Sequence, residues 1–399
     1  MKLITAALSA LFLLIVSTVL RSVELHFMSA ALISVPVISY ILGRVTVRRL
    51  QCRREAPEYV SEGERFCVSL ELWGKSRLLG PIEIDDALPE WVERDEDARS
   101  RVSQQGPDRI VASYTAVATK RGEYAIGPLR LHISDPLGFF RFACTYSLTS
   151  RLVVLPSPLQ VPNLHVQAAG SFGEHQFEGS GARGGGTDFD GVREYHQGDE
   201  LRRVHWPSTA RHGRLNVIEF EHAKAEDTVV ALDLERGSEI GTGKHSSLEY
   251  AVKIGAGLVE QALNLGSMVR LACAGIHGPA AAYGRGLDHL YAVLDALARV
   301  QANQTERLSS VLFREAPTFS HNTAVVCLSS YIDPELPQCT RLLVTRGVMV
   351  AFILLTFSDE IPTETEQMAA RLVAAGASLA VVGCSTSSTA GVVKYQYAA

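Results

Sequence analysis

The sequence has little excess charge and few of the motifs that mark an enzyme. Its 38 basic and 43 acidic residues leave a formal charge of -5 over 399 residues, which argues against a surface that coats nucleic acid. Its seven cysteines form no Cys-x-x-Cys pair, so we expect buried, reduced thiols in a cytosolic compartment. No Gly-x-Ser-x-Gly elbow occurs, and no cysteine lies in the setting of a thiolate nucleophile. We therefore expect no catalytic residues and a protein that is not an enzyme.

Charge is also missing from two N-terminal stretches. Residues 3–20 carry none, and 25–43 hold only His26 as an ionisable group. Each stretch approaches the ~20 residues that cross a bilayer, which predicts a two-helix transmembrane hairpin over 1–45. A cleaved signal peptide is the alternative for the first stretch. Arginines follow the second stretch, so we expect a multi-pass protein of the bacterial inner membrane with its C-terminal bulk in the cytoplasm. They are Arg44, Arg48, Arg49, Arg53 and Arg54.

The next region, 55–160, is predicted to be a β-rich, sandwich-like domain. Short apolar runs such as 66–72 and 110–117 are separated by Gly, Pro and charged clusters, a pattern typical of antiparallel strands. Residues 161–186 are rich in Gly and Ser and read as a linker.

A motif dense in arginine occupies 187–225. Five arginines alternate with acidic residues, which permits bidentate ion pairs that would pin an irregular segment to its own domain. Alternatively, some guanidinium groups hold a phosphate or an acidic segment of a partner, with Trp206 as an interface anchor. The candidate motif residues are Asp188, Arg193, Glu194, Tyr195, Gly198, Asp199, Arg202, Arg203, His205, Trp206 and Arg211.

The order Asp-Phe, Val-Arg-Glu-Tyr, Gly-Asp, Arg-Arg, His-Trp, Ala-Arg resembles the signature of the family called domain of unknown function 58. Gln197 departs from the proline usual there. The resemblance implies an N-terminal membrane hairpin, a β-rich segment and a C-terminal domain like von Willebrand factor A. It also implies an accessory role beside a MoxR-type AAA+ ATPase and transglutaminase-like membrane proteins, without a catalytic activity.

Strand and helix patterns alternate over 226–399, which predicts an α/β domain with a mainly parallel sheet and helices on both faces. Ligands in such sheets lie at the carboxyl ends of strands, which draws attention to the loop after Leu234. The von Willebrand factor A fold would place Mg²⁺ or Mn²⁺ there with an Asp-x-Ser-x-Ser motif, whereas this chain offers Asp233, Glu235 and, next to Gly237, Ser238. Asp333 comes late after its strand for a supporting ligand.

Two further patterns are weaker. The run 237–245 resembles a phosphate-binding loop but has the wrong spacing and His245 in place of the Ser or Thr. His196, His205 and His212 cluster without carboxylates that the sequence can place beside them.

These observations favour a membrane-anchored cytoplasmic binding or assembly module that has no required cofactor and engages a protein partner, for which the resemblance implies the AAA+ ATPase. A metal-dependent adhesion-type or hydrolytic domain centred on Asp233 is one alternative, and a cell-envelope scaffold is another.

Overall fold

A computed structural model describes residues 2–74, 81–95, 101–104, 109–160, 189–195, 204–220, 227–321, 323–358, 362–384 and 392–397. The chain divides into two compact units, Met1–Leu155 and Pro156–Ala399.

The first unit begins with two antiparallel apolar helices, α1 (Lys2–Leu20) and α2 (Val23–Arg48). Both are long and apolar enough to cross a membrane. Ser22 caps α2 by accepting a hydrogen bond from the Leu25 amide, and the helix continues through Pro36 to Arg48, beyond the predicted end of the apolar stretch. The two helices support the predicted membrane anchor.

Within the described residues of the first unit, eleven strands follow, and they form three sheets. β3 and β7 alternate between buried and more exposed positions, because side chains of a strand point to opposite faces and only one face meets the core. All three sheets contribute to one hydrophobic cluster, as the predicted sandwich requires, although β2 and β11 pair in parallel. The strands are β1 (Gln51–Glu55), β2 (Tyr59–Ser61), β3 (Arg65–Trp73), β4 (Ile82–Asp86), β5 (Val92–Arg94), β6 (Arg101–Gln104), β7 (Arg109–Ala118), β8 (Gly122–Ile126), β9 (Leu129–Ser134), β10 (Arg141–Tyr146) and β11 (Ser150–Leu155).

The helix hairpin and the sandwich are closely joined within this unit. Only Arg49 and Leu50 separate α2 from β1, and the carbonyl of Leu50 accepts a hydrogen bond of 2.9 Å from the Tyr146 hydroxyl. At Gly43, an added Cβ would lie 2.5 Å from a ring carbon of Phe142, so a larger residue there would displace this ring and disturb the close approach of α2 to β10.

A buried ion pair links the three sheets. The Arg54 guanidinium on β1 pairs with Asp86 at the end of β4, and these side chains are 1% and 0% exposed. Its Nη1 also donates to the carbonyls of Ile126 and Leu148, at 2.8 and 2.9 Å. Tyr114 on β7 donates to Asp86 Oδ2 at 2.6 Å. Burial first, and then the hydrogen bond to Asp86, raise the pKa of Tyr114 far above its ordinary value, so the phenol stays a donor.

The second unit contains a six-stranded sheet in the order β17-β14-β18-β19-β20-β21, parallel except for β21. Its strands are β14 (Asp227–Leu232), β17 (Met268–Leu271), β18 (Thr323–Ser329), β19 (Met349–Thr356), β20 (Ser378–Gly383) and β21 (Val392–Tyr397). Two hairpins accompany it, β12 (Phe189–Glu194) with β13 (Asn216–Phe220), and β15 (Gly241–Thr242) with β16 (His245–Ser246).

Helices cover both faces of this sheet. Val229 and Ala231 face a cluster that includes Leu312 and Leu343 from one set of helices, whereas Val230 and Leu232 face Gly255 of α4. Two apolar faces explain why β14 and β18 are buried at every position. The helices are α3 (Trp206–His212), α4 (Ser247–Asn264), α5 (Gly286–Arg299), α6 (Leu308–Glu315), α7 (Leu336–Thr345) and α8 (Thr363–Ala374), with 3₁₀ turns Pro279–Ala281 and Ala316–Thr318.

The predicted fold class is confirmed: two apolar helices, a β-rich region and an α/β domain with a mainly parallel sheet, consistent with the von Willebrand factor A-like plan. The finer domain boundaries stay a prediction. One expectation about cysteine is wrong, because Cys67 is exposed and Cys52 and Cys144 are only partly buried. Cys67 lies at one of the outward-facing positions of β3 and is therefore exposed to solvent. The other four cysteines are buried as expected.

The buried pair yields a stability prediction. Arg54→Met would leave the Asp86 carboxylate without its cation in an apolar core, so we expect a loss of about 3–5 kcal/mol in the free energy of unfolding. Denaturant unfolding of the detergent-solubilised chain measures it. The control is Arg151→Met, whose half-exposed side chain pairs with Glu123 at 2.8 Å and should cost no more than about 1 kcal/mol. Equal losses in the two variants would contradict this role of Arg54.

Candidate functional site at the carboxyl edge of the parallel sheet

Only part of the arginine-rich motif lies within the described residues. Asp188, Gly198, Asp199, Arg202, Arg203 and His196 lie outside them, and for Arg193 and Glu194 only the backbone is described. The predicted guanidinium–carboxylate pairs among these residues therefore stay a prediction.

The described part of the motif is a β-hairpin that carries a short helix. β12 pairs antiparallel with β13, and the amide of Tyr195 donates to the carbonyl of Leu215 at 2.8 Å. Tyr195 is partly buried. Between the strands, Val204 bridges to Val217 and α3 follows. The described part of the motif thus forms a folded element.

His205 and Trp206 have different roles in this element. The Nδ1 atom of His205 accepts a hydrogen bond of 3.3 Å from the Ser208 amide, so His205 caps the N-terminus of α3. His212 Nδ1 contacts the Ser208 carbonyl at 3.0 Å. Trp206, in contrast, is 67% exposed, and Arg211 is exposed on the same helix. The two described histidines of the predicted cluster therefore serve the helix, while the tryptophan faces solvent.

Asp233 lies where strand order predicts a site. It follows β14, and its amide donates to the carbonyl of Leu328 in the neighbouring strand β18 at 3.0 Å. Its Oδ2 accepts a hydrogen bond of 2.7 Å from the Ser329 hydroxyl, and its Oδ1 accepts one of 3.0 Å from the Glu235 amide. Ser329 also accepts from the Tyr331 amide at 2.9 Å. The Asp233 carboxylate thus connects its own loop, which follows β14, to the end of the neighbouring strand β18.

A second buried carboxylate, Asp333, belongs to the same cluster. It is 3% exposed, accepts a hydrogen bond from the Ser309 hydroxyl, and accepts one of 3.0 Å from the Glu335 amide. Arg307 lies between the two acidic loops, with Nε 3.6 Å from Glu235 Oε1 and Nη1 3.9 Å from Asp333 Oδ1. Sequence spacing alone set Asp333 aside as too distant. The sequence does contain a signal for Asp333. An aspartate placed shortly before a helix often accepts a hydrogen bond from the amide two residues later, as Asp333 does here.

Serine hydroxyls connect the Asp233 loop to its neighbours. Ser238 turns inward and donates to the Glu235 carbonyl at 2.9 Å. Ser330 donates to the Ser238 carbonyl at 2.5 Å, and Ser247 lies 3.2 Å from Ser330. The run 237–245 is therefore tied down as a β15–β16 hairpin, and α4 begins only after it, which removes the geometry of a phosphate-binding loop.

The electrostatics of the cluster raise the pKa of Asp233 above its ordinary value. Burial is the largest effect, while the hydrogen bonds from the Glu235 amide and the Ser329 hydroxyl partly oppose it. The negative charge of Asp333 raises the pKa further. The carboxyl group of Asp233 therefore holds its proton more tightly than an exposed aspartate does.

The predicted metal site does not fit these contacts well. Both oxygens of Asp233 have hydrogen-bond donors, Ser238 points into its own loop, and the cation beside Glu235 is the Arg307 guanidinium. Within the ranges that the structure describes, no three His, Cys, Asp or Glu side chains converge in a metal-binding group. The Mg²⁺ or Mn²⁺ site on Asp233, Glu235 and Ser238 stays a prediction.

The cluster opens on a surface with an apolar and cationic rim. Tyr331 is 50% exposed and Ile240 is 48% exposed, and both flank the serine contacts described above. The Arg307 side chain is 52% exposed. A rim that combines an aromatic ring with a guanidinium group is typical of protein contact surfaces.

Comparison with known proteins adds one informative match. Residues 191–366 match a family model described as protein of unknown function DUF58. The match covers α3, the Asp233 cluster and all but the first two residues of the β12–β13 hairpin. No curated protein matches this chain.

Solved structures give only weak likenesses. A FixG-related protein from Vibrio parahaemolyticus shows 10% identity and a TM-score of 0.17 over 26% of this chain and 95% of that chain. The SrpA adhesin from Streptococcus sanguinis shows 17% identity and a TM-score of 0.18 over 31% of this chain and 67% of that chain. Scores this low carry no argument about fold or function.

The protonation of Asp233 can be tested through stability. Because its pKa lies above the value of 3.8 that an unfolded chain has, the folded state binds the proton more tightly, and stability falls as pH rises from 3.8 through the folded pKa. The substitution Asp233→Asn removes this pH-dependent loss of stability. Its side-chain oxygen can still accept the hydrogen bond from the Glu235 amide, and its side-chain nitrogen can donate one to the Ser329 hydroxyl. We expect the melting temperature of the variant minus that of wild type to increase as pH rises from about 4 towards neutrality. A difference that is constant with pH would contradict the raised pKa.

The metal alternative has its own test. Because the Asp233 oxygens already have donors, we expect millimolar Mg²⁺ or Mn²⁺ to leave the melting temperature of the chain unchanged. A native-state ligand at 100 times its Kd would add about 2.7 kcal/mol. A rise of several degrees that disappears in Asp233→Ala would establish the metal site instead.

Proposed function

Because residues 191–366 belong to the family described as protein of unknown function DUF58, we propose that this chain is a membrane-tethered binding module, not an enzyme, whose α3 surface docks a protein partner. The hairpin of α1 and α2 holds it at the bacterial inner membrane, with both larger parts of the chain in the cytoplasm. The resemblance noted in the sequence points to a MoxR-type AAA+ ATPase as that partner, working beside a transglutaminase-like membrane protein.

The observation that carries this proposal is the exposure of Trp206. Burying a tryptophan at an interface releases a large apolar area from water, and tryptophan is among the residues most enriched in binding hot spots. Trp206 is 67% exposed in this chain, although it lies inside a family-matched region and on a helix fixed by the His205 cap. A side chain that contributed only to the internal packing would be covered.

The surroundings of Trp206 support an interface as well. The α3 helix ends at Gly213, which has a left-handed φ of 66°, and the Asn216 amide donates to Thr209 Oγ1 at 3.0 Å. The helix is thus held at both ends, so docking would cost little ordering entropy. Arg211 adds a positive charge beside the ring, which suits an acidic segment on the partner.

Crosslinked affinity purification from native membranes in mild detergent tests this assignment. We expect wild type to recover a AAA+ ATPase, identified by mass spectrometry, and Trp206→Ala to lose at least about tenfold of it, since a hot-spot residue contributes about 2 kcal/mol or more.

Tyr291→Ala is the matched control. Tyr291 is another exposed aromatic residue of the second unit, at 61%, and lies on α5 rather than α3. Equal recovery with Trp206→Ala and wild type would refute α3 as the docking surface. Recovery of no ATPase by any variant would reject the proposed partner.

A further inference from the structure

An apolar groove lies beside α2 in the first unit. It has a volume of about 230 Å³ and runs between the helix and the turn 135–140, which connects β9 to β10. Its lining is almost entirely apolar and consists of Val35, Ile38, Leu42 and Gly43 on α2 and Pro136 and Leu137 on the turn, with Ser39 at its floor.

Polar contacts fix the turn against the helix. The Ser39 hydroxyl donates to Asp135 Oδ2 at 2.6 Å, and the Phe140 amide donates to Asp135 Oδ1 at 2.7 Å. The Tyr40 ring packs edge-on against Phe140 with centroids 5.1 Å apart. These contacts therefore hold the two sides of the groove, α2 and the turn 135–140, in a fixed arrangement.

The depth of the turn along α2 places it among lipid chains. About 20 residues of helix cross the hydrocarbon layer, so a span that starts near Val23 ends near Arg44. The groove residues Val35 to Gly43 precede Arg44 by roughly 1.5 to 13 Å along the axis, at 1.5 Å per residue. If α2 spans the bilayer as the proposed function requires, Leu137, which is 49% exposed, would meet lipid rather than water.

Positive charge gathers at the same end of the hairpin. Arg44, Arg48 and Arg49 are exposed at the end of α2, and the Lys2 ammonium lies 3.1 Å from the place of a Cβ on Gly138. Arg44 Nη1 also donates to the Tyr40 hydroxyl at 2.6 Å. A lipid phosphate beside these cations would leave its acyl chain pointing along the groove.

We propose that this groove is a phospholipid site, in which one acyl chain of an anionic lipid lies between α2 and the turn 135–140 while its phosphate pairs with Arg44 and its cationic neighbours. The turn is then a second membrane contact beside the hairpin. The inference rests on the membrane anchoring in the proposed function but not on its protein partner.

Fluorescence quenching in lipid vesicles tests the depth. The full chain is reconstituted in phosphatidylglycerol vesicles whose acyl chains carry bromine near the headgroup. We expect strong quenching of the added emission in Leu137→Trp and none in Leu265→Trp, a residue that is 68% exposed in the second unit. Flotation of wild type with the vesicles checks anchoring separately. Flotation without quenching at position 137 overturns the lipid site, whereas failure to float overturns the anchoring and the site together.

Retained lipid gives an independent measurement. Native mass spectrometry of the detergent-solubilised chain should show bound phosphatidylglycerol in wild type, and Ile38→Trp, which fills the groove, should reduce the bound fraction at least about tenfold, as expected for a loss of 1.4 kcal/mol or more. The control is Val19→Trp on α1, 75% exposed and away from the groove. Equal lipid retention by the two variants, or none by wild type, would show that the groove is not a lipid site.

Discussion

One buried guanidinium group organises the first unit. Three separate sheets contribute to one hydrophobic core, and a polar network inside this core connects them. Arg54 provides it by bonding Asp86 of one sheet, a carbonyl at the end of β8 in another, and, through Asp86, Tyr114 of its own sheet. Such a network is costly unless every member has a partner, and it then restricts the core to one arrangement.

The second unit depends on a different constraint. Its central strands are buried on both faces, so polar residues occur only where strands end. This arrangement brings Asp233, Ser329 and Asp333 together from segments about a hundred residues apart. The resulting cluster joins loops to one another through hydrogen bonds, while its rim and the α3 surface face outward. A rigid edge of this kind suits recognition because little order has to be gained on binding.

Much of this organisation follows from the sequence. Uncharged runs predicted the two helices, and alternation of apolar strands with helices predicted the parallel sheet. Strands β3 and β7 extend the apolar runs 66–72 and 110–117 by one residue at each end, because the buried face of each strand carries the apolar pattern. The sequence indicates Arg54 only as one of the positive charges that follow the second apolar stretch, because its hydrogen-bond partners lie 32 to 94 residues away along the chain. Asp333 was set aside for a similar reason: a loop between a strand and a helix can fold back, and spacing does not reveal it.

The junction of α2 with β1 has a mechanical consequence. Two residues separate helix and strand, and contacts at Ser39, Gly43 and Leu50 hold the helix against the sandwich. A flexible linker would let the sandwich move independently of the helix, whereas this short connection and these contacts couple the two rigidly. If the α1–α2 helix pair rotates or tilts, for example after a change in bilayer thickness, the sandwich must rotate with it.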